Sequence, residues 1–394
     1  MMIDKSKLEK RKIALVELYG HSEVLYNLFK LLKNDFELTI FTTQKIYVDA
    51  QDYFETELHD WQIKSSSTSI ESFVKEHLEK LNTQDVLIFT TLISSIKFFA
   101  TIDFRPLTIV TTHNINASFN FNNSIWLDKS SVQNYFFDAL RFLRSKIQRD
   151  VFFRKRLFQK VDFISCSSKN LSKYAKTISP DFSSKILYLF PFSFFENHKK
   201  VENQDEIIIS IPGSVTNRLR DYEIVFEALE ELIPNLSKKI KLQLLGISNN
   251  KVNAKLSNLE SENFQLISFN RPLSQKEFDH YLKRTDFIIL PIKKYKRFGI
   301  VREEYGKSTI SGGVNDIVRF GIPTLLIDSY KVEKSFSTLV STFRNKTDLV
   351  EQMTDWIKNS KHEEIREKAI PELEKINEEN TRIELVKRIE NLLS

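Results

Sequence analysis

Eleven short apolar runs, separated by stretches of helical periodicity, constrain this chain more than any other feature. In the first half they are Ile13–Leu18, Glu37–Thr42, Asp85–Thr90, Leu107–Thr112, Val161–Ser167 and Lys185–Phe190. In the second they are Glu206–Pro212, Ile240–Leu245, Phe264–Ser268, Thr285–Pro291 and Pro323–Ile327. Runs of Ile, Val, Leu and Phe at this length read as strands buried on both faces of a parallel sheet, with crossover helices between them. One such helix follows Asp221, a good N-cap, and aligns Tyr222, Val225, Phe226, Leu229, Leu232 and Ile233. Between the halves, residues 197–205 (NHKKVENQD) are polar and aperiodic, as a linker would be. The expected fold class is α/β, with two Rossmann-like doubly wound domains over 1–198 and 199–365 and a helix over 366–394. A chain of 394 residues is long enough to bury two cores.

Several classes are excluded. The single cysteine, Cys166, permits no internal disulfide and fits a reducing compartment. The opening MMIDKSKLEKRK is too polar for a signal peptide. The apolar run from Val86 is interrupted by Thr90, Thr91, Ser94, Ser95 and Lys97 before it could span a bilayer. A cytoplasmic protein is expected. No Cys/His cluster has metal-ligand spacing and no Asp-x-Asp occurs, so neither an essential metal nor another cofactor is expected. An interleaved aromatic and basic array is also missing, which argues against a nucleic-acid partner.

The formal charge of +6 is unevenly placed: residues 1–200 hold 28 Lys and Arg against 22 Asp and Glu, and the remainder is neutral. Much of the excess falls in 141–176, where Arg144, Arg149, Arg154, Lys155 and Arg156 are interleaved with Phe142, Phe152, Phe153 and Phe158. This stretch reads either as a solvated helix face over a core stripe or as a basic, Phe-rich helix able to lie on anionic lipid.

Ligands of doubly wound sheets collect at the carboxyl ends of the strands. There the chain places Tyr19-Gly20-His21-Ser22-Glu23, Thr112-His113-Asn114, Pro212-Gly213-Ser214 running on to Arg218 and Arg220, and the segment 292–307 with its lysines, Arg302, Glu303 and Glu304. Four of the eight glycines lie in Tyr305–Ile327: Gly306, Gly312, Gly313 and Gly321. A glycine turn opening a helix directs amides and positive partial charge at an anion, which suits a phosphate, and Asp316 one turn later can hold a ribose. Gly306-Lys307-Ser308-Thr309 is not a P-loop, because position 301 is Val, and no G-x-G-x-x-G occurs. Each residue also has a plain structural reading: His113 as a satisfied strand-end histidine, Glu23 as a helix-dipole acid, Arg218 and Arg220 as loop partners, and Asp316 as a helix acid.

Taken in order, these pieces resemble the GT-B glycosyltransferases, and among them the retaining family four. IVTTHN is similar to the strand end whose histidine, here His113, faces the donor sugar. VDFISCSS resembles the family's strand ending in serine. PGSVTNRLRD is similar to the Gly turn with basic residues for the diphosphate, RPLSQKEFDHYLKRTDFIILP to the stretch before the donor site, with Arg271 and Leu273 near the base, and NDIVRFGIP to the final acidic element. The resemblance implies two domains facing across a cleft, with the C-terminal helix packing back toward the first. It implies a metal-independent hexosyltransferase that moves a sugar from a UDP- or GDP-sugar to a hydroxyl of a glycan or lipid-linked acceptor, in bacterial surface glycan or glycoconjugate synthesis. It places His113 at the transferred sugar; the further catalytic candidates are Glu23 or His21, as general base for an inverting course, and Glu304. It gives Gly20, Gly213, Arg218, Arg220, Arg271, Leu273, Lys307, Ser308, Gly312, Gly313 and Asp316 to the donor. The departures are Ser308 where the family has the first of two glutamates, Ser214 where it often has Arg, and His21 where a second glycine is common. They leave open retaining or inverting chemistry, a UDP-sugar epimerase, and a non-catalytic GT-B partner subunit.

Overall fold

The computed structural model describes residues 10–51, 59–191, 193–198, 206–235, 238–248 and 250–394. The strands are β1 Lys12–Glu17, β2 Glu37–Thr43, β3 Asp60–Lys64, β4 Val86–Phe89, β5 Leu107–Thr112, β6 Phe163–Cys166, β7 Ile186–Leu187, β8 Glu206–Pro212, β9 Lys239–Ile247, β10 Phe264–Phe269, β11 Phe287–Leu290, β12 Tyr295–Phe298, β13 Val301–Glu304, β14 Thr324–Ile327 and β15 Val340–Phe343. They form a seven-stranded sheet ordered β3-β2-β1-β4-β5-β6-β7, a six-stranded sheet ordered β10-β9-β8-β11-β14-β15, and a two-stranded hairpin, β12-β13. The strand pairs of both large sheets are parallel. β1 and β4 are buried almost throughout, as a sheet covered on both faces requires.

One sequence device recurs in both sheets. An aspartate just before a strand accepts the amide of a residue at or near the start of its neighbour: Asp85 from Lys12 (2.8 Å), Asp162 from Thr108 (2.8 Å) and Asp286 from Ile208 (2.7 Å). QDVLIF, VDFISC and TDFIIL therefore begin their strands in a fixed register.

The chain divides into two compact units. One contains residues up to 192 with Arg297–Glu303 and Thr381–Ser394; the other contains Ser193–Lys296 and Glu304–Asn380. The second unit thus leaves out residues 297–303, which the expected span 199–365 includes, and runs from 193 to 380. Of the linker 197–205, only Asn197 and His198 lie among the described residues. They belong to the second unit, where Asn197 bonds Glu374 at 2.9 Å and His198 stacks on Phe320.

The stretch 141–176 is not one helix. Arg149, in the left-handed region (φ 54), separates helix Val132–Ile147 from Asp150–Lys160, and Lys169–Ile178 follows β6. Leu157 and Phe158 are core residues. Burial pushes the Cys166 thiol up to about 12, so it is an inert core group. Helix Tyr222–Leu232 follows Asp221 as expected, but the Asp221 side chain makes no capping bond; Asn217 Oδ1 accepts the Tyr222 amide instead.

Candidate functional site

The first sheet reverses strand order between β1 and β4, so the carboxyl ends of these strands form its crevice. β1 ends on Glu17, a fully buried carboxylate. Its Oε1 accepts the Tyr19 and Gly20 amides at 2.8 and 2.9 Å, and its Oε2 accepts the Thr90 hydroxyl at 2.5 Å. The Gly20 turn (φ 133) therefore wraps a carboxylate of its own chain. The amide of Gly20, a residue expected at the donor, is thus already taken by Glu17.

His113 lies buried at the end of β5, with Nε2 2.8 Å from the Thr90 carbonyl and 3.1 Å from the Thr91 hydroxyl. A carbonyl only accepts, so Nε2 carries the proton and donates it. The His21 ring stacks on His113 at 4.3 Å, nearly parallel at 7°. Tyr19 donates to the Ser94 carbonyl, and burial pushes its phenol up to about 12. Glu23 stands exposed in the first turn of helix Ser22–Leu32, where a carboxylate suits the dipole.

Directly after His113, helix Ile115–Phe119 opens on a carboxylate from the β12–β13 hairpin. Glu303, fully buried, accepts the amides of Asn116 (3.2 Å) and Ala117 (2.8 Å). The Asn116 side chain donates to the Arg302 carbonyl at 2.8 Å and accepts from Tyr174 at 2.9 Å. Glu303 thus holds the backbone that follows His113.

The second sheet reverses order between β8 and β11. β8 runs into Gly213 (φ 91), which lies against the Arg220 guanidinium. Arg220 is buried and donates to the carbonyls of Pro212 and Ser214, the latter at 2.5 Å. As placed, it organises the loop from within rather than projecting toward a ligand. The buried Arg220 Nε and the Tyr222 hydroxyl, by contrast, have no hydrogen-bond partner among the described residues. Arg218, two residues earlier, is exposed.

Helix Gly312–Phe320 starts beside this loop: a Cβ on Gly313 would lie 3.5 Å from Pro212 and 3.0 Å from Leu290, whereas one on Gly312 would meet open space. Gly321 in the left-handed region ends the helix, and Asp316 is half-buried in its middle. Across β9, a Cβ on Gly246 would overlap the Gly213 carbonyl. Gly246→Ala should therefore lower stability by about 1–3 kcal/mol, read by urea unfolding, since backbone cannot move aside as a side chain can.

Glu304 is half-buried between Lys294 (3.8 Å) and Lys307 (3.3 Å). Ser308, expected at the donor, is fully buried; its Oγ accepts the Glu304 amide at 2.8 Å and closes the Glu304–Ser308 turn. Arg271 is exposed and paired twice with Glu277, beside half-buried Leu273. The second unit thus brings Gly213, Arg220, Gly312 and Gly313 together. Arg271 and Leu273 stand on the separate loop between β10 and helix Gln275–Leu282.

No protein-family model and no curated protein matches the sequence. Solved structures do. The Anabaena HepE protein in complex with UDP-glucose is 10% identical over 96% of this chain and 99% of its own, with a TM-score of 0.61. A glycosyltransferase from Rickettsia africae is 12% identical over 98% and 100%, also at 0.61. The fold is GT-B. A proposed UDP-N-acetylglucosamine 2-epimerase from Listeria monocytogenes shares it at 13% identity over 91% of both chains, with a TM-score of 0.53.

Within this GT-B chain, the site roles of Glu17, Thr90 and Thr91 escaped sequence reasoning, and Glu303, singled out in the 292–307 segment, turned out to serve the turn after His113. Glu17 carried a signal, an acid closing an otherwise apolar strand in ALVELYG. Among the described residues no group of acidic, His or Cys side chains could hold a metal, and no helix is long and apolar enough to cross a membrane.

Proposed function

We propose that this chain is a glycosyltransferase that moves a hexose from a nucleotide diphosphate-sugar to an acceptor hydroxyl without a metal, in the synthesis of a bacterial surface glycan or glycoconjugate. One observation carries the reading. Two glycine-bearing elements, the Gly213 turn and the start of helix Gly312–Phe320, meet at the switch point of the second sheet. The Gly213 amide itself donates to the Leu245 carbonyl at 2.9 Å, so the amides at the start of helix Gly312–Phe320 would face the diphosphate across the Gly213 turn, and Arg218 is the exposed cation of that loop. As the glycosidic bond breaks, the leaving diphosphate gains negative charge, which preoriented amides stabilise without reorganising. Asp316 holds the ribose, Arg271 and Leu273 lie toward the base, and Lys307 adds a cation.

In the first unit, His113 contacts the transferred sugar and, held by Thr90, contributes through the rest of its ring. Glu23, exposed beside His21, is the candidate base for an inverting course, and Glu304 supports the donor from between its lysines. His113→Ala should leave UDP affinity unchanged and cut transfer, because UDP lacks the group His113 touches. Loss of UDP binding in that variant would make His113 a purely structural residue.

An epimerase on the same scaffold is the second reading, favoured by the Listeria neighbour. It would convert a UDP-sugar with no acceptor present, so incubation with donor alone separates the two.

A further inference from the structure

We propose that helix Val132–Ile147, with the start of the following helix, docks this protein on an anionic lipid bilayer. The helix is turned inside out. Its buried residues are polar, Asp138 and Ser145, while Val132, Phe136, Leu140, Leu143 and Ile147 form an outward stripe at helical spacing. Val132 is 88% exposed, Ile147 72% and Phe136 57%, and Val151 and Phe152 extend the patch past the break at Arg149. The inward face is fixed by charge: Asp138 accepts from Arg297 of the hairpin, from Arg141 at 3.0 Å and from the Asp128 amide at 2.8 Å. The apolar side is thus held outward by the Asp138–Arg297 pair on the inner face, and the surface departs from the 141–176 face expected from sequence.

Charge selects the occupant. Residues 132–160 carry eight Lys or Arg against two acids, Asp138 and Asp150, and Asp138 is already neutralised inside. A second copy would bring Arg144, Lys146 and Arg149 against their own like charges. A sheet of lipid phosphates meets the same cations with opposite charge and accepts Phe and Leu between its acyl chains. The helix is too polar to cross a bilayer, so it lies in the interface.

The test is flotation of the full chain with vesicles of phosphatidylcholine plus phosphatidylglycerol, against phosphatidylcholine alone, with no nucleotide or sugar present. A failure here leaves the transferase reading standing. The wild type should float with the anionic vesicles and lose binding in high salt. Phe136→Glu with Leu143→Glu should reduce binding at least about tenfold, and so should Arg144→Glu with Arg149→Glu. Val48→Glu, a change at an exposed apolar residue elsewhere in the unit, should bind normally. Equal binding to neutral vesicles, or unchanged binding by both double variants, overturns the proposal. A wild-type dimer that ignores vesicles and is split by Phe136→Glu with Leu143→Glu also overturns it, and assigns the stripe to self-association.

Discussion

Glu303→Ala should be among the most destabilising single changes in this protein, lowering stability by about 3 kcal/mol, because two amides lose a charged acceptor inside the core. The Asn116 and Ala117 amides open a five-residue helix with little stability of its own, and Glu303 is the carboxylate that pairs them. Glu303→Gln should cost less but not nothing, since one oxygen still accepts while the amide nitrogen faces a donor. The loss should be local to the first unit. Hydrogen exchange of residues 113–120 should rise in Glu303→Ala, while exchange in β8 and β9 stays near wild type. Equal acceleration in both places would mean that Glu303 supports more than the turn after His113. Arg302→Ala, at an exposed neighbour whose carbonyl accepts from Asn116, keeps that carbonyl and should cost less than Glu303→Ala.

Arg220→Met should weaken nucleoside diphosphate binding by roughly 1.5–3 kcal/mol and nucleoside binding far less. The effect is indirect. Methionine fills much of the same space but cannot donate to the Pro212 and Ser214 carbonyls, so the Gly213 turn loses the cation that shapes it. A direct phosphate contact by Arg220 would give the same affinity loss with little change in stability. The loop-organising role predicts that unfolding free energy falls as well, and urea unfolding of the unliganded variant separates the two. Arg218→Ala, at the exposed cation of the same loop, should lower diphosphate affinity while leaving stability unchanged.

The parallel sheets were legible because buried strands need continuous apolar runs. Leu107–Thr112 and Glu206–Pro212 match β5 and β8 at both ends. β3, with Asp60, Gln62 and Lys64, is only half-buried at a sheet edge and has no such run. The hairpin β12–β13 hid for a related reason. YKRFGIVREE looks like a charged loop, and its partners, Asp128, Asp138 and the Asn116 turn, are more than 150 residues away in sequence. Glycine positions at strand ends could be read, since a turn before a helix has a local signature. Which group fills that turn could not: Glu17 occupies the first from three residues upstream of Gly20, and Arg220 supports the second through the Pro212 carbonyl. The outward stripe on Val132–Ile147 was obscured by the ordinary rule that apolar faces turn inward. That rule fails here because Asp138 is tied to Arg297, a residue no periodicity connects to it.

The central claim is that the switch point of the second sheet holds the diphosphate of a nucleotide-sugar. Isothermal titration of the full chain with UDP and with uridine, both in chelator, tests it most directly, with GDP and guanosine run the same way. One diphosphate should bind at least about tenfold more tightly than its nucleoside, with no divalent metal needed, and Arg218→Ala should remove most of the difference. Diphosphates that bind no better than their nucleosides, or only once a metal is added, would contradict it.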